Sequence, residues 1–403
     1  MPARWMEVVL LNWNDALARL EPPARIAPPI SGDEQQARLE KARRLTRELG
    51  AEALLVHAGA SIAYFAGLHW GASERLTALW LPVTGEPLLI CPYFEQGSVS
   101  AGLQIKAELR LWQEDESPYA LIGQAMRDAG LSTLAVDPSM SFEMVHRLGR
   151  ETGLSLLEAG SVIRGCRMCK SPAELAIMQQ AMAMTLEVQK VTAKVLHEGM
   201  TTTEVTNFIE AAHRKLGASG NSFCIVQFGR GTAYPHGLPG VQALKENDLV
   251  LVDIGCFVQG YTSDITRTYS FGKPTDAQRR IWDIEKEAQA AAFARVEVGV
   301  PAEEVDAAVR AVLVRHGLGP DYRLPGTPHR TGHGIGLSIH EAPFIVRGDK
   351  TRLDVGMCFS DEPMIVVPAD NGQEFGVRLE DHIHVTEKGA AWFTPPQPDI
   401  LTV

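Results

Sequence analysis

The chain has 403 residues, 45% of them hydrophobic, and its 49 acidic and 38 basic side chains give a formal net charge of -11. This length and apolar content suit a soluble globular protein of two or three domains, and the acidic balance without a basic run argues against a nucleic-acid partner. No apolar stretch approaches the roughly 20 residues of a transmembrane helix and no secretion signal is evident, so we expect no membrane partner and a cytoplasmic location.

The cysteines do not predict a disulfide framework, because six in 403 residues is a low density. Cys166 and Cys169 form a C-x-x-C pair. A tetrahedral zinc site needs a second ligand pair at suitable spacing, and the sequence offers no second C-x-x-C and no H-x3-5-H pair near this one. We therefore interpret the pair as reduced thiols beside a linker.

The first part of the chain alternates amphipathic helices with short apolar strands. Apolar positions on one helical stripe predict a helix over residues 35–50, ending at a glycine. Strands are predicted in ALLVHAG, LTALWLPV, PLLICPYF, LRLWQED and STLAVDP, and helices over residues 118–130 and 142–153. This alternation indicates an α/β domain with a mixed or parallel sheet.

A second domain is predicted to begin near the sequence Ser171-Pro172-Ala173-Glu174. This stretch combines an N-cap serine, a proline at the first helical position and a capping-box glutamate. The elements predicted after it are helices over residues 171–197, 202–216, 275–298 and 302–316, a strand over 223–228, and two strand pairs. We therefore divide the chain into domains of residues 1–165 and 166–403.

Each arm of the first predicted hairpin contains an aspartate. The apolar run LVLVDIG is followed by a turn-like V-Q-G at 258–260 and then by a second strand. If the turn is centred between residues 258 and 259, positions whose numbers add up to 517 are opposite each other, which pairs Asp253 with Asp264. Facing like charges on a buried surface are destabilising unless a cation lies between them. In the alternative interpretation, one aspartate caps a turn and the other is solvated.

The second predicted hairpin places two glutamates face to face in the same way. The strand-like GMCFSDEPMIVV is followed by a strong turn signal at residues 368–372 and then by EFGVRLEDHIHV. If the turn is centred on Asn371, residues whose numbers add up to 742 are opposite each other, and Glu362 pairs with Glu380.

Between the hairpins lies the glycine-rich HRTGHGIGLSIHEAP, with His329, His333 and His340. A single histidine in such a loop is more often a hydrogen-bonding residue than a ligand, but the glycines beside His333 allow close approach to a charged group. Two aspartates, two glutamates and one histidine suit a pair of divalent ions such as Mn, Co or Zn.

The order of these motifs resembles that of the pita-bread metallopeptidases, the family of prolidase, aminopeptidase P, methionine aminopeptidase and creatinase. The resemblance rests on D-x-G, S-D-I-T-R-T, G-H-G-I-G with H-E-x-P, E-P and G-V-R-L-E-D, and upstream on GAEALLVHAGASIAYFAGLHW and KSPAELAIMQQA. It covers residues 35–395. It implies a creatinase-like α/β amino-terminal domain followed by an α+β pita-bread catalytic domain with a curved antiparallel sheet.

The resemblance implies a set of metal ligands. Asp253 would bind one ion, Asp264 and Glu380 would bridge two, and His333 and Glu362 would complete the set. The implied cofactor is two divalent metal ions per subunit, with Mn expected first and Co or Zn as alternatives.

The resemblance also implies substrate contacts. His236 in YPHGLPG and His340 in SIHEAP would contact the scissile carbonyl and the substrate, and Arg378 would bind the substrate carboxylate. By composition alone, His236 lies in a turn and Arg378 could simply neutralise the acidic cluster. Glu362 is the expected proton carrier for a metal-bridging hydroxide that attacks the carbonyl.

The implied activity is hydrolysis of the Xaa-Pro bond of dipeptides by a subunit of a homodimer. Three alternatives remain: aminopeptidase P activity on longer Xaa-Pro peptides, a non-peptide small-amide hydrolase or lyase of the same fold, and a pseudoenzyme that acts as a binding module. One departure from the family pattern bears on substrate choice. Where T-x-E-P-G is usual, this chain has Ser-Asp-Glu-Pro-Met, and we expect Met364 to narrow the pocket.

Overall fold

The computed structural model describes residues 10–369 and 373–403, which form two units. One unit is Pro29–Met168, and the other joins residues 10–28 to Cys169–Val403. Helix α1 (Trp13–Ala18) belongs to the second unit because the Leu11 amide donates to the Lys194 carbonyl at 2.8 Å and the Trp13 ring packs on Phe208. The predicted division after residue 165 placed residues 10–28 in the first domain, whereas in the structure they belong to the second unit.

The unit of Pro29–Met168 is built on one mixed six-stranded sheet. Its helices are α2 (Gly32–Glu48), α3 (Ala60–Ala66), α4 (Gln96–Gly102), α5 (Pro118–Asp128), α6 (Phe142–Thr152) and α7 (Gly160–Arg167), with a 3-10 turn at Tyr93–Glu95. Its strands are β1 (Ala53–His57), β2 (Ala78–Pro82), β3 (Leu88–Pro92), β4 (Glu108–Trp112), β5 (Thr133–Val136) and β6 (Ser155–Glu158), in the order β4-β3-β2-β1-β5-β6. The five predicted strands are confirmed. The edge strand β6 was missed because its side chains are exposed or half-buried and lack an apolar run.

The second unit begins with the helix that the capping sequence predicted. Its helices are α8 (Pro172–Val195), α9 (Thr202–Lys215), α10 (Asp276–Arg295) and α11 (Ala302–Arg315). Both halves of the predicted capping box are present, since the Ser171 hydroxyl accepts from the Glu174 amide and the Glu174 carboxylate accepts from the Ser171 amide. No helix within residues 10–369 and 373–403 is long and apolar enough to cross a bilayer.

The strands of this unit pair in antiparallel fashion. They are β7 (Asn221–Phe228), β8 (Leu249–Val258), β9 (Tyr261–Thr262), β10 (Ile265–Ser270), β11 (Gly332–Gly334), β12 (Glu341–Ile345), β13 (Cys358–Asp361), β14 (Met364–Val367), β15 (Phe375–Arg378), β16 (Asp381–Thr386) and β17 (Gly389–Trp392). One sheet has the order β10-β8-β7 with β9 also paired to β8, a second has the order β12-β11-β13-β16-β17, and β14 pairs with β15. These sheets supply the backbone that positions the acidic residues.

The register of the first hairpin differs from the prediction. Thr266, rather than Asp264, is opposite Asp253, and the two-residue turn consists of Gln259 and Gly260, both with positive φ. The turn therefore lies one residue later than expected, and every pairing shifts by two positions. Because a shift of two preserves the alternation of side chains, both aspartates still point to the same face of the hairpin.

The register of the second hairpin is confirmed. The pairs Asp361 with Asp381 and Met364 with Arg378 both fit the predicted alignment, so Glu362 and Glu380 occupy facing positions between them. Residues 370–372 of the predicted turn lie outside the described residues.

Gly255 allows the arms of the first hairpin to come close together. A Cβ atom at this position would lie 2.0 Å from the Ser263 carbonyl oxygen and 2.5 Å from the Ser222 hydroxyl. Only a glycine fits between these atoms without moving the backbone.

We expect Gly255→Ala to lower the free energy of unfolding by about 1–3 kcal/mol, since the added methyl group must displace the backbone near Asp264. Urea unfolding of the variant and the wild type measures this difference. The control is Gly32→Ala, where the added Cβ has no atom within 4 Å and the change should stay within about 0.5 kcal/mol. Equal stability of Gly255→Ala and the wild type would contradict the steric argument.

Candidate active site

The five predicted metal ligands come together in the second unit. Asp253 lies in β8, Asp264 just before β10, His333 in β11, Glu362 just after β13, and Glu380 between β15 and β16. Each is at most 8% exposed. Two separate hairpins and a glycine-rich segment therefore deliver four carboxylates and one imidazole to one buried location.

Two overlapping groups in this location have ligand atoms within 4.8 Å of one another. One group is His333, Glu362 and Glu380, and the other is Asp264, Glu380 and His382. His333 Nε2 lies 3.0 Å from Glu362 Oε1 and 3.7 Å from Asp264 Oδ2. His382 was not predicted, although its position two residues after Glu380 in L-E-D-H-I-H was a possible signal.

The carboxylates contain oxygen atoms that no protein donor satisfies. Oδ1 of Asp253, Oδ1 of Asp264 and Oε1 of Glu380 are buried and accept no hydrogen bond among the described residues. Burying such acceptors is costly unless a cation or a donor compensates them. An oxygen-rich set with imidazole is the ligand chemistry of divalent ions such as Mn, Co and Zn, so the residues present fit a divalent metal centre.

The protonation of the cluster reflects burial and mutual repulsion. Burial raises the pKa of Asp264 well above its ordinary value, and the neighbouring Glu380 and Asp253 raise it further. Burial and repulsion from Glu362 likewise raise the pKa of Glu380. Glu362 is the exception: burial acts to raise its pKa, but His333, together with His329 and Arg378, outweighs burial and brings the pKa of Glu362 below its ordinary value.

Hydroxyl groups hold two of the glutamates in place. The Thr266 hydroxyl donates to Glu380 Oε2 at 2.6 Å, and the Ser360 hydroxyl donates to Glu362 Oε1 at 3.0 Å. The Ser360 oxygen also accepts a hydrogen bond from the His333 amide at 2.9 Å. Thr266 and Ser360 were not predicted, because a hydroxyl residue in a strand gives no distinctive sequence signal.

The Arg378 side chain is hydrogen-bonded within the acidic cluster and its surroundings. Its Nη2 donates to the Asp253 carboxylate, its Nε donates to the Thr266 hydroxyl at 3.1 Å, and its Nη1 donates to the Pro235 carbonyl at 3.4 Å. The side chain is buried. These contacts favour the alternative in which Arg378 neutralises the acidic cluster, and they do not support the predicted contact with a substrate carboxylate.

His236 and His340 are exposed, in contrast to the five ligands. The His340 ring lies edge-on to the His333 ring with a centroid separation of 4.2 Å. Partial burial, reinforced by the positive charges of His333 and Arg330, lowers the pKa of His340 to about 4. His340 is therefore a neutral imidazole at neutral pH, able to donate or accept a hydrogen bond.

Met364 does not line an open pocket, contrary to expectation. Its side chain is fully buried in a small apolar cluster with Ala233 and Val366, against which Tyr234 packs. The methionine thus supports the segment that leads to His236.

Comparisons with known proteins give matches along both units. The model of metallopeptidase family M24 matches residues 176–387, and the model of the creatinase/prolidase N-terminal domain matches residues 38–169. The probable dipeptidase PepE of Mycobacterium tuberculosis is 37% identical over 358 residues, which cover 88% of this chain and 92% of that protein.

Solved structures are similar over nearly the whole chain. The dipeptidase PepE from Mycobacterium ulcerans superposes with a TM-score of 0.84 at 35% identity, and the prolidase from Thermococcus sibiricus with a TM-score of 0.84 at 30% identity. Each likeness covers 93% of this chain and 100% of the other. With the sheets described above, these matches confirm the predicted fold class of a creatinase-like amino-terminal domain and a pita-bread catalytic domain.

The repulsion within the cluster leads to a prediction for the metal-free protein. Asp264→Asn should raise the free energy of unfolding after chelation by about 1 kcal/mol or more at about pH 7, because it removes a buried charge whose pKa is raised. A raised folded-state pKa means that the wild type gains stability as the pH falls and loses it as the pH rises through that pKa. The advantage of the variant should therefore shrink near pH 5.

Thermal unfolding in the presence of a chelator, at both pH values, measures this effect. Added Mn should stabilise the wild type far more than the variant, since the variant lacks a ligand. A metal-free variant less stable than the wild type at about pH 7 would refute the repulsion argument.

Proposed function

The chain belongs to metallopeptidase family M24, and on this premise we propose that it is a dipeptidase that hydrolyses Xaa-Pro bonds with two divalent metal ions. The observation that supports this proposal is the buried set of four carboxylates and a histidine, three of whose carboxylate oxygens accept no hydrogen bond among the described residues. The exposed His340 lies against His333, and the exposed His236 lies within electrostatic range of His340. The dipeptidase and prolidase names of the similar proteins support the choice of substrate.

The ions would be held by Asp253, Asp264, His333, Glu362 and Glu380. When bound, two such ions supply Lewis-acid polarisation of a carbonyl and lower the pKa of a water molecule toward about 7. The buried position of all five ligands keeps bulk water away from these charges, which strengthens their interactions.

Glu362 is proposed to move the proton of the attacking water. Its pKa is below the ordinary value, so it is ionised at neutral pH and its oxygens can accept a hydrogen bond from that water. Hydrogen bonding to Ser360 and the contact with His333 fix the carboxylate in one orientation. A positioned general base contributes typically 10²–10⁴-fold to a rate, and the contribution is largest when its pKa lies near the working pH.

His236 and His340 are proposed to act on the substrate side. As exposed imidazoles, they can donate hydrogen bonds to the oxygen that becomes negatively charged in the tetrahedral state. The nitrogen of an Xaa-Pro bond has no hydrogen and cannot serve as a donor for recognition, so contacts to the carbonyl and to the substrate termini become more important.

We also propose manganese as the metal, a homodimer as the assembly and the cytoplasm as the location. Native mass spectrometry of the purified protein measures the first two together, by metal content and by mass.

The decisive experiment compares a dipeptide with a tripeptide. Metal-depleted protein reloaded with Mn should hydrolyse Ala-Pro or Leu-Pro and leave Ala-Pro-Ala intact. Asp264→Asn should reduce the rate by at least about 10²-fold, because loss of a residue that would hold the ions should cost at least as much as loss of an outer-shell partner. Cleavage of the tripeptide would instead indicate aminopeptidase P activity. Metal binding without turnover of either peptide would redirect the assignment to non-peptide amides.

The two exposed histidines can be tested separately from the metal centre. His236→Ala and His340→Ala should each lower kcat/KM about 10²- to 10³-fold, the usual effect of losing one oxyanion donor, with metal content unchanged. His146→Ala, at an exposed position on α6, is the matched control and should behave as the wild type. Unchanged turnover of both site variants would remove the histidines from the mechanism.

A further inference from the structure

We propose that Arg330 binds the free carboxylate at the C-terminus of the dipeptide substrate. This inference rests on the proposed function and makes it more specific, because it names the residue that would distinguish a dipeptide from a longer peptide.

The position of Arg330 follows from the strand pairing beside the metal centre. In the antiparallel pair of β11 and β12, His333 is directly opposite Phe344. Side chains of directly opposed residues project from the same face of a sheet, so the Phe344 ring shares a face with the predicted metal ligand. The Arg330 guanidinium carbon lies 4.7 Å from the centroid of that ring. Arg330 is thus held on the same face as the site.

Arg330 is available for an anionic ligand. Its side chain forms no ion pair and donates no hydrogen bond within residues 10–369 and 373–403, although the residue is half-buried. Stacking on Phe344 uses the face of the guanidinium and leaves the N–H groups at its edge able to bind a carboxylate in bidentate geometry.

The other arginine of the site is already occupied. All three nitrogens of the Arg378 guanidinium donate to protein groups, including the carboxylate of Asp253. A substrate carboxylate could bind there only by breaking these contacts. The Arg330 guanidinium could bind the carboxylate without breaking a hydrogen bond to any described residue.

The positive charge of Arg330 acts on the exposed His340, which is proposed to contact the substrate. Its positive charge is one of the causes that lower the pKa of the exposed His340, after burial and His333. The same charge contributes to the lowered pKa of His329, for which burial is the main cause. Arg330 therefore lies within electrostatic range of two histidines on the segment that contains His333.

The short length of a dipeptide explains why a cation at the position of Arg330 could select for it. The free carboxylate of Xaa-Pro lies one residue beyond the scissile bond, and one residue spans at most about 3.3–3.6 Å. A cation on the same face as His333 could reach that carboxylate, whereas a longer peptide would place a neutral amide against the guanidinium. Arg330 would thus favour substrates that end after the second residue.

The test pairs a variant with a change in the substrate. Arg330→Met keeps an unbranched side chain on Phe344 and removes the charge, and Leu-Pro is compared with Leu-Pro amide, which lacks the carboxylate. We expect the variant to raise KM for Leu-Pro about 10- to 100-fold, the range for hydrogen bonds between charged groups, with kcat little changed. KM for the amide should remain nearly constant.

Two further variants sharpen the comparison. Arg330→Lys keeps the charge without the bidentate geometry and should give an intermediate KM for Leu-Pro; it also replaces Arg330→Met if that variant does not fold. Arg315→Met removes a surface arginine that pairs with Glu287 and should match the wild type on both substrates.

The outcomes separate the two proposals. An equal loss on Leu-Pro and on its amide, or no loss on either, would overturn the role of Arg330 while leaving the dipeptidase activity of the wild type in place. A Mn-loaded wild type that hydrolyses no dipeptide would overturn the proposed function, and the role of Arg330 with it.

Discussion

The burial of several carboxylates in one small volume is the constraint on which the rest of this site depends. Asp253, Asp264 and Glu380 each have an oxygen that accepts no hydrogen bond from the described residues, and burial together with repulsion raises their pKa values. Arg378 offsets part of this charge through Asp253. The surplus of negative charge is what makes the cluster a place for divalent cations.

A layer of hydrogen bonds holds these repelling groups together. Arg267 pairs with Asp381 at 2.6 Å and donates to the Glu380 carbonyl at 2.8 Å, and the Glu380 amide donates to the Thr266 carbonyl at 3.1 Å. These bonds join the first hairpin to the second, although the bonded residues are more than a hundred positions apart in the sequence. The ligands therefore cannot relax apart without breaking the junction between the sheets.

The residues proposed to contact the substrate differ from the acidic cluster in their exposure to solvent. His236 and His340 are exposed, and Arg330 is half-buried on the ring of Phe344, while the five ligands are buried. Under the proposed function, this separation would let a peptide reach the two histidines and Arg330 from solvent while the acidic groups stay within the protein. Met364, fully buried beneath the segment that leads to His236, contributes packing to this arrangement.

The sequence alone determined the types and order of the predicted ligands and most of the secondary structure, because apolar periodicity, capping residues and turn composition are local properties. It also determined the alignment of Glu362 with Glu380, because the predicted position of the turn between the two strands fixes which residues are opposite each other. Only the tertiary structure decided the register near Asp253, because a one-residue change in turn position moves every pair. It alone revealed His382, Thr266 and Ser360 and the engagement of Arg378, since these depend on contacts between residues distant in the chain. A side chain's partner is a property of three-dimensional packing, and no local pattern encodes it.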